Sequence, residues 1–85
     1  MEKEMKIEGD ICEIQDLYVA AFLKVKGCKL KEALRNPVRN FVYFYFEGKD
    51  QIKKLLPFYY NGDENICASD FVNAVRDLKS LIKSV

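Results

Sequence analysis

The residues that would do chemistry in this chain are scarce, beginning with histidine, of which its 85 residues contain none. The commonest general base is therefore missing, and with it the Ser–His and Cys–His pairs that activate a nucleophile. Cys12, Cys28 and Cys67 are odd in number, far apart and without a CxxC pair. They offer neither a disulfide framework nor zinc-ligand spacing, and they read as structural thiols of a reducing compartment. The glycines, Gly9, Gly27, Gly48 and Gly62, fit neither GxxxxGK(S/T) nor GxGxxG, so no phosphate-cradling loop is indicated. Asp63 to Asn65 carries oxygen ligands in a run far too short for an EF-hand loop and reads as a solvated turn. Glu47 and Asp50 could pair as acid and base, yet nothing near them in sequence shapes a pocket. The expectation is a non-enzymatic chain with no catalytic residue, no metal and no cofactor.

Binding chemistry is better represented. The stretch RNFVYFYFEG, residues 39–48, sets a run of aromatic and β-branched side chains behind a basic residue. Strand alternation puts Val42, Phe44 and Phe46 on one face and Phe41, Tyr43 and Tyr45 on the other. The all-apolar set belongs to the core. The tyrosine set has polar tips, so its face is either partly exposed or covered by a partner. An RNP1 octamer is matched at Arg39, Phe41, Tyr43 and Phe46 but lacks both small residues. An RRM also needs a helix and a strand between its two motifs, and the Tyr18 of the upstream LYVAAF sits only 21 residues before Arg39, in a segment that reads as helix. The RRM is rejected, and an aromatic strand beside basic residues remains.

Charge is uneven although the net is +1. Residues 1–16 hold six acidic side chains against two lysines, whereas residues 17–46 hold six basic ones against Glu32 alone. Such asymmetry marks a patch for an anionic partner or simply a solvated face. A second basic stripe, Asn73, Arg76, Lys79 or Ser80, and Lys83, falls opposite an apolar seam near the C-terminus. The leading expectation is a small module that contacts nucleic acid through Lys29, Lys31, Arg35, Arg39, Tyr43, Tyr45, Arg76, Lys79 and Lys83. The alternative is a protein-interaction or homodimerisation domain that uses the Phe41, Tyr43, Tyr45 face.

The elements that must position these residues follow from local patterns. DLYVAAFLKVKG opens on Asp16 as an N-cap and stops at Gly27, with apolar residues nearly all round, which predicts an enclosed helix. CKLKEALRN alternates roughly, NPV makes a turn, and the aromatic strand follows, which predicts an antiparallel hairpin. Ile52, Leu55, Leu56 and Tyr59 form a helical stripe that Pro57 must either kink or end near Leu56. ENICA, residues 64–68, is the place for a short third strand. Ser69 is the expected N-cap of a last helix whose seam is Phe71, Val75, Leu78, Ile82 and Val85.

With 49% hydrophobic and 13% aromatic residues the chain is too apolar for a disordered tail, and its length allows one domain. The expected fold is α+β, a single small domain of helix, hairpin, helix and helix over residues 16–85, preceded by an acidic arm over residues 1–15. No apolar run is long enough to span a membrane and no secretory leader is visible, which suggests a cytoplasmic protein without membrane contact.

DLYVAAFLKVKG, VYFYFEG and FVNAVRDLKSLI together resemble a family of short uncharacterised bacterial proteins with a DLYLAAFL-like helix, a VYFxFE-like strand and a closing FVNAxRxLKSLI-like helix. The likeness spans roughly residues 16–83 and implies an independent single domain with no catalytic role. The longer acidic start and Pro57 depart from that pattern.

Overall fold

A computed structural model describes residues 9–62 and 65–85. The elements run β1 (Ile11–Ile14), α1 (Leu17–Val25), β2 (Leu30–Arg35), β3 (Val42–Glu47), α2 (Lys49–Asn61) and α3 (Ala68–Ser84). The fold is α+β, with an antiparallel sheet of order β1-β3-β2 that has the aromatic strand at its centre. Most of the acidic start, residues 1–8, lies outside the described residues.

The third strand is β1, drawn from the stretch assigned to the acidic arm, not residues 64–68. Of those five, Glu64 lies outside the described residues, Asn65 to Cys67 form no strand and Ala68 opens α3. β1 is only four residues long, and its alternation, Ile11 and Glu13 outward, Cys12 and Ile14 inward, acquires meaning only from pairing with β3. Asp10, just before it, ties β1 to the start of α2. Its carboxylate accepts from Gly48 N and Lys49 N, both at 3.2 Å, supplying the side-chain cap that Gly48, in the left-handed region at φ 88°, cannot provide.

α1 is the centre of the helical layer. Asp16 Oδ1 accepts from Tyr18 N at 2.8 Å and Val19 N at 3.2 Å, as an N-cap should. At the other end Cys28 N bonds Leu23 O and Gly27 N bonds Lys24 O, a Schellman ending that needs the positive φ of Gly27. Between the caps Val19, Ala20, Ala21, Phe22 and Leu23 are all buried. A helix closed on every side must meet neighbours on every side, and α1 packs mainly against α3 and also against α2 and β1. The helices cover one face of the sheet, where Phe44 and Phe46 are 1% and 0% exposed among Leu23, Ile52 and Leu78.

α2 does not end at Leu56; it passes through Pro57 to Asn61. Lys53 and Pro57 are both exposed, so the hydrogen bond that the proline removes falls on the solvent side of the helix, where its loss costs least. α3 starts earlier than expected, with Cys67 and not Ser69 at the N-cap position, and Phe71 N bonds Cys67 O. Ala74 and Leu78 are its buried residues, flanked by the half-buried Phe71, Val75, Leu81 and Ile82, while Val85 is exposed.

A bulge decides the layout of β2. Leu30 pairs with Phe46 and Glu32 with Tyr45, leaving Lys31 as an extra residue. Beyond it the alternation is inverted, so Ala33 and Arg35 share the helical side with Phe44 and Val42, and Glu32 and Leu34 share the outer side with Tyr45 and Tyr43. Arg35 was expected at the surface as a phosphate contact. Instead its guanidinium donates to the Val85 carbonyl at 3.0 Å (Nε), the Ile82 carbonyl at 2.6 Å (Nη2) and Asn40 Oδ1 at 2.9 Å (Nη1). It closes the C-terminus of α3, where carbonyls lack partners and the dipole favours a cation, and ties that end to the β2–β3 loop.

Two stability outcomes follow from this packing. Phe44→Ala should cost about 3–5 kcal/mol in urea melts and Tyr43→Ala clearly less; the reverse order would mean the faces of β3 are exchanged. Arg35→Ala should cost about 1–2 kcal/mol, and Arg35→Lys should not restore it, because an ammonium cannot fork between the helix end and Asn40.

Candidate functional site

On the outer side of β3 the rings of Phe41, Tyr43 and Tyr45 form a continuous row, with centroids 5.1 Å apart for the first pair and 6.4 Å for the second. All three are half-buried, against the buried Val42, Phe44 and Phe46 of the other parity. The helices lie on the opposite face, so among the described residues the neighbours of this row are the cross-strand ones. Tyr45 sits between Glu13 of β1 and Glu32 of β2, Tyr43 beside Leu34, and Ile11 beside Glu47. Leu34, placed here by the bulge, is 47% exposed.

The surroundings of the row are acidic. Tyr45 Oη donates to Glu13 Oε2 at 3.1 Å. Burial first, then that hydrogen bond and the charges of Glu13, Tyr43 and Glu32, push the Tyr45 phenol up to about 12. Lys31 Nζ lies 3.2 Å from Glu47 Oε2, an ion pair with both side chains substantially exposed. Next to Tyr45 the face sinks into an open concavity of about 540 Å³, lined by Ile11, Leu34, Tyr45, Asp10, Glu32 and Glu47 together with Lys31. Aromatic and aliphatic walls under a carboxylate rim suit a cationic or hydrogen-bond-donating group far better than an anion.

The expected nucleic-acid residues are not brought together. Lys29 is exposed before β2, and its carbonyl accepts from Glu47 N at 2.9 Å. Lys31 is held by Glu47, and Arg35 closes α3. Arg39 is exposed in the β2–β3 loop, where Asn36 Oδ1 accepts from Val38 N and Arg39 N, both at 2.9 Å. Tyr43 and Tyr45 belong to the outer sheet face just described. Arg76, Lys79 and Lys83 stand exposed on the solvent side of α3, around a shallow concavity that also includes Val72, Val75 and Ser80. α3 is in the helical layer, so this basic stripe and the tyrosine row are on different surfaces.

Three carboxylates that frame the tyrosines, Glu13, Glu32 and Glu47, escape a reading of the sequence as a binding set. Glu13 fell within the acidic arm and Glu32 was the single acid in a basic stretch. The alternation of ICEI was the one local sign that Glu13 could join a sheet face. Leu34 carried no such sign, since regular alternation pairs it with Leu30. Cys12 and Cys28 lie against or in the core, where burial raises both thiols. Cys67 is exposed, with the Ser69 hydroxyl 3.1 Å from its Sγ drawing the thiol below its ordinary value. Among the described residues no group of His, Cys, Asp or Glu is arranged to hold a metal, and no helix is long and apolar enough to cross a membrane.

Residues 10–84 match the family described as a domain of unknown function, DUF5659. No curated protein and no solved structure matches the chain.

The raised Tyr45 phenol has a consequence for alkaline stability. Its folded value of about 12 lies above the ordinary 10.0 of an unfolded chain. Tyr45 therefore contributes stability that is complete below the unfolded value and is lost as pH climbs from there toward the folded one, because the unfolded chain releases the proton first. Urea stability measured against pH should fall less steeply across that window in Tyr45→Phe than in the parent protein. Equal slopes would show that the phenol is unperturbed.

Proposed function

The chain belongs to the DUF5659 family, and because that membership attaches no activity to it, we propose from its surface a non-enzymatic protein-interaction domain that docks a partner on the outer face of its sheet. The observation that carries this reading is the composition of that face. It combines the row of Phe41, Tyr43 and Tyr45 and the exposed Leu34 with the carboxylates of Glu13, Glu32 and Glu47. Half-buried aromatics beside an exposed leucine are the surface that protein interfaces favour. Carboxylates around them oppose a phosphate backbone, which a nucleic-acid surface would need to attract. The sheet face thus favours the interaction reading over nucleic-acid binding, and no role in a reaction is assigned to it.

The nucleic-acid reading retains one supporting observation, the exposed Arg76, Lys79 and Lys83 on α3. The two surfaces are separable by mutation. Leu34→Asp and Tyr43→Ala alter exposed or half-buried positions of the sheet face, whereas Arg76→Ala with Lys79→Ala alters only α3. A partner recovered from the source cell and identified by mass spectrometry should be lost with either sheet variant and retained with the α3 double variant. Labelled single-stranded oligonucleotides should show no anisotropy change with tens of micromolar protein at low salt. Oligonucleotide binding whose salt slope flattens by about two units in the α3 double variant would overturn the proposal in favour of phosphate contacts.

A further inference from the structure

Docking on the outer sheet face leaves open what kind of side chain the partner brings, and the concavity beside Tyr45 narrows it. Among the described residues, Asp10, Glu32 and Glu47 stand around it with one cation, Lys31. Their engagements differ. Asp10 is committed to the backbone amides of Gly48 and Lys49, and Glu47 holds Lys31 at 3.2 Å. Among the described residues Glu32 is exposed and its carboxylate has no hydrogen bond or ion pair. It lies directly across from Tyr45, with the Leu34 side chain two residues further along the same face of β2.

We propose, resting on the docking reading above, that the concavity takes an arginine side chain from a partner protein, its guanidinium laid on the Tyr45 side of the row and forked onto Glu32, its aliphatic stem on Leu34. A planar guanidinium stacks on aromatic rings and fits a carboxylate with two parallel hydrogen bonds, neither of which an ammonium does as well. The Lys31–Glu47 pair is the same chemistry inside the chain, a cation held at the rim of this concavity. A second copy is a poor occupant in a symmetric arrangement. A two-fold contact through this face sets Glu13, Glu32 and Glu47 of one copy against the same carboxylates of the other. The partner is therefore a different chain with a basic residue among apolar ones.

The test uses the full chain, isotope-labelled and followed by amide NMR, with a synthetic peptide that alternates arginine and valine and the same peptide carrying citrulline in place of arginine. Citrulline keeps the shape and loses the charge. The arginine peptide should shift the resonances of Ile11, Glu13, Glu32, Leu34 and Tyr45, and the citrulline peptide should bind about fivefold more weakly, the upper range for an exposed ion pair. Glu32→Gln, an exposed position whose fold is checked by the same spectrum, should weaken the arginine peptide by a similar factor and leave the citrulline peptide unchanged. Equal affinity of the two peptides for the sheet face overturns the arginine assignment and leaves docking intact. Shifts confined to α3, or no shift on the sheet face with either peptide at millimolar concentration, remove both.

Discussion

The bulge at Lys31 is the constraint on which the architecture and its surface both depend. A strand alternates strictly, so one extra residue exchanges the faces of everything beyond it. Here the exchange turns Arg35 toward the helical layer, where three hydrogen bonds hold the end of α3 and the β2–β3 loop together. The same exchange turns Leu34 out beside Tyr43 and Glu32 beside Tyr45. In regular register Leu34 would face the core with Leu30 and Arg35 would face water. The α3 end would then lose its cap, and the outer face would lose its exposed leucine and one carboxylate.

The open sheet face also follows from how the helices are distributed. α1 is buried along five consecutive residues, which is possible only if α2, α3 and the sheet all close around it. Ala20 and Ala21, both fully buried, let its neighbours approach closely. With all three helices gathered on one side, among the described residues the other side of the sheet carries strand side chains alone. Long aromatic rings shelter one another along β3 and reach only half burial, which a monomeric surface can carry and a partner can complete.

Electrostatics gives that surface its character. Net charge across the chain is +1, yet among the described residues the basic side chains are spread over the loops, β2 and all three helices, while the carboxylates of three strands converge on the tyrosines. Cross-strand neighbours lie about 5 Å apart, close enough for Glu13 to accept from the Tyr45 phenol and for its charge to oppose ionisation of that phenol. Charge counted along the chain therefore describes neither face.

The local elements were legible in the sequence. Asp16 and Gly27 bracket α1, the alternation of VYFYFE sorts β3 into a core face and a tyrosine face, and the apolar repeat of the last segment makes α3 amphipathic. Each of these rests on interactions between residues a few positions apart, so the pattern is present in the chain before it folds. The rest was decided by contacts between distant segments. ICEI becomes a strand because β3 offers it an edge, with Glu13 meeting Tyr45 from 32 positions away. Arg35 becomes a helix cap because Ile82, 47 positions on, arrives beside it. α2 runs through Pro57 because that side of the helix faces water, and the acidic frame of the tyrosines exists only once three strands are in register. Periodicity states which side chains of one segment share a face; only the packing of segments states what that face meets.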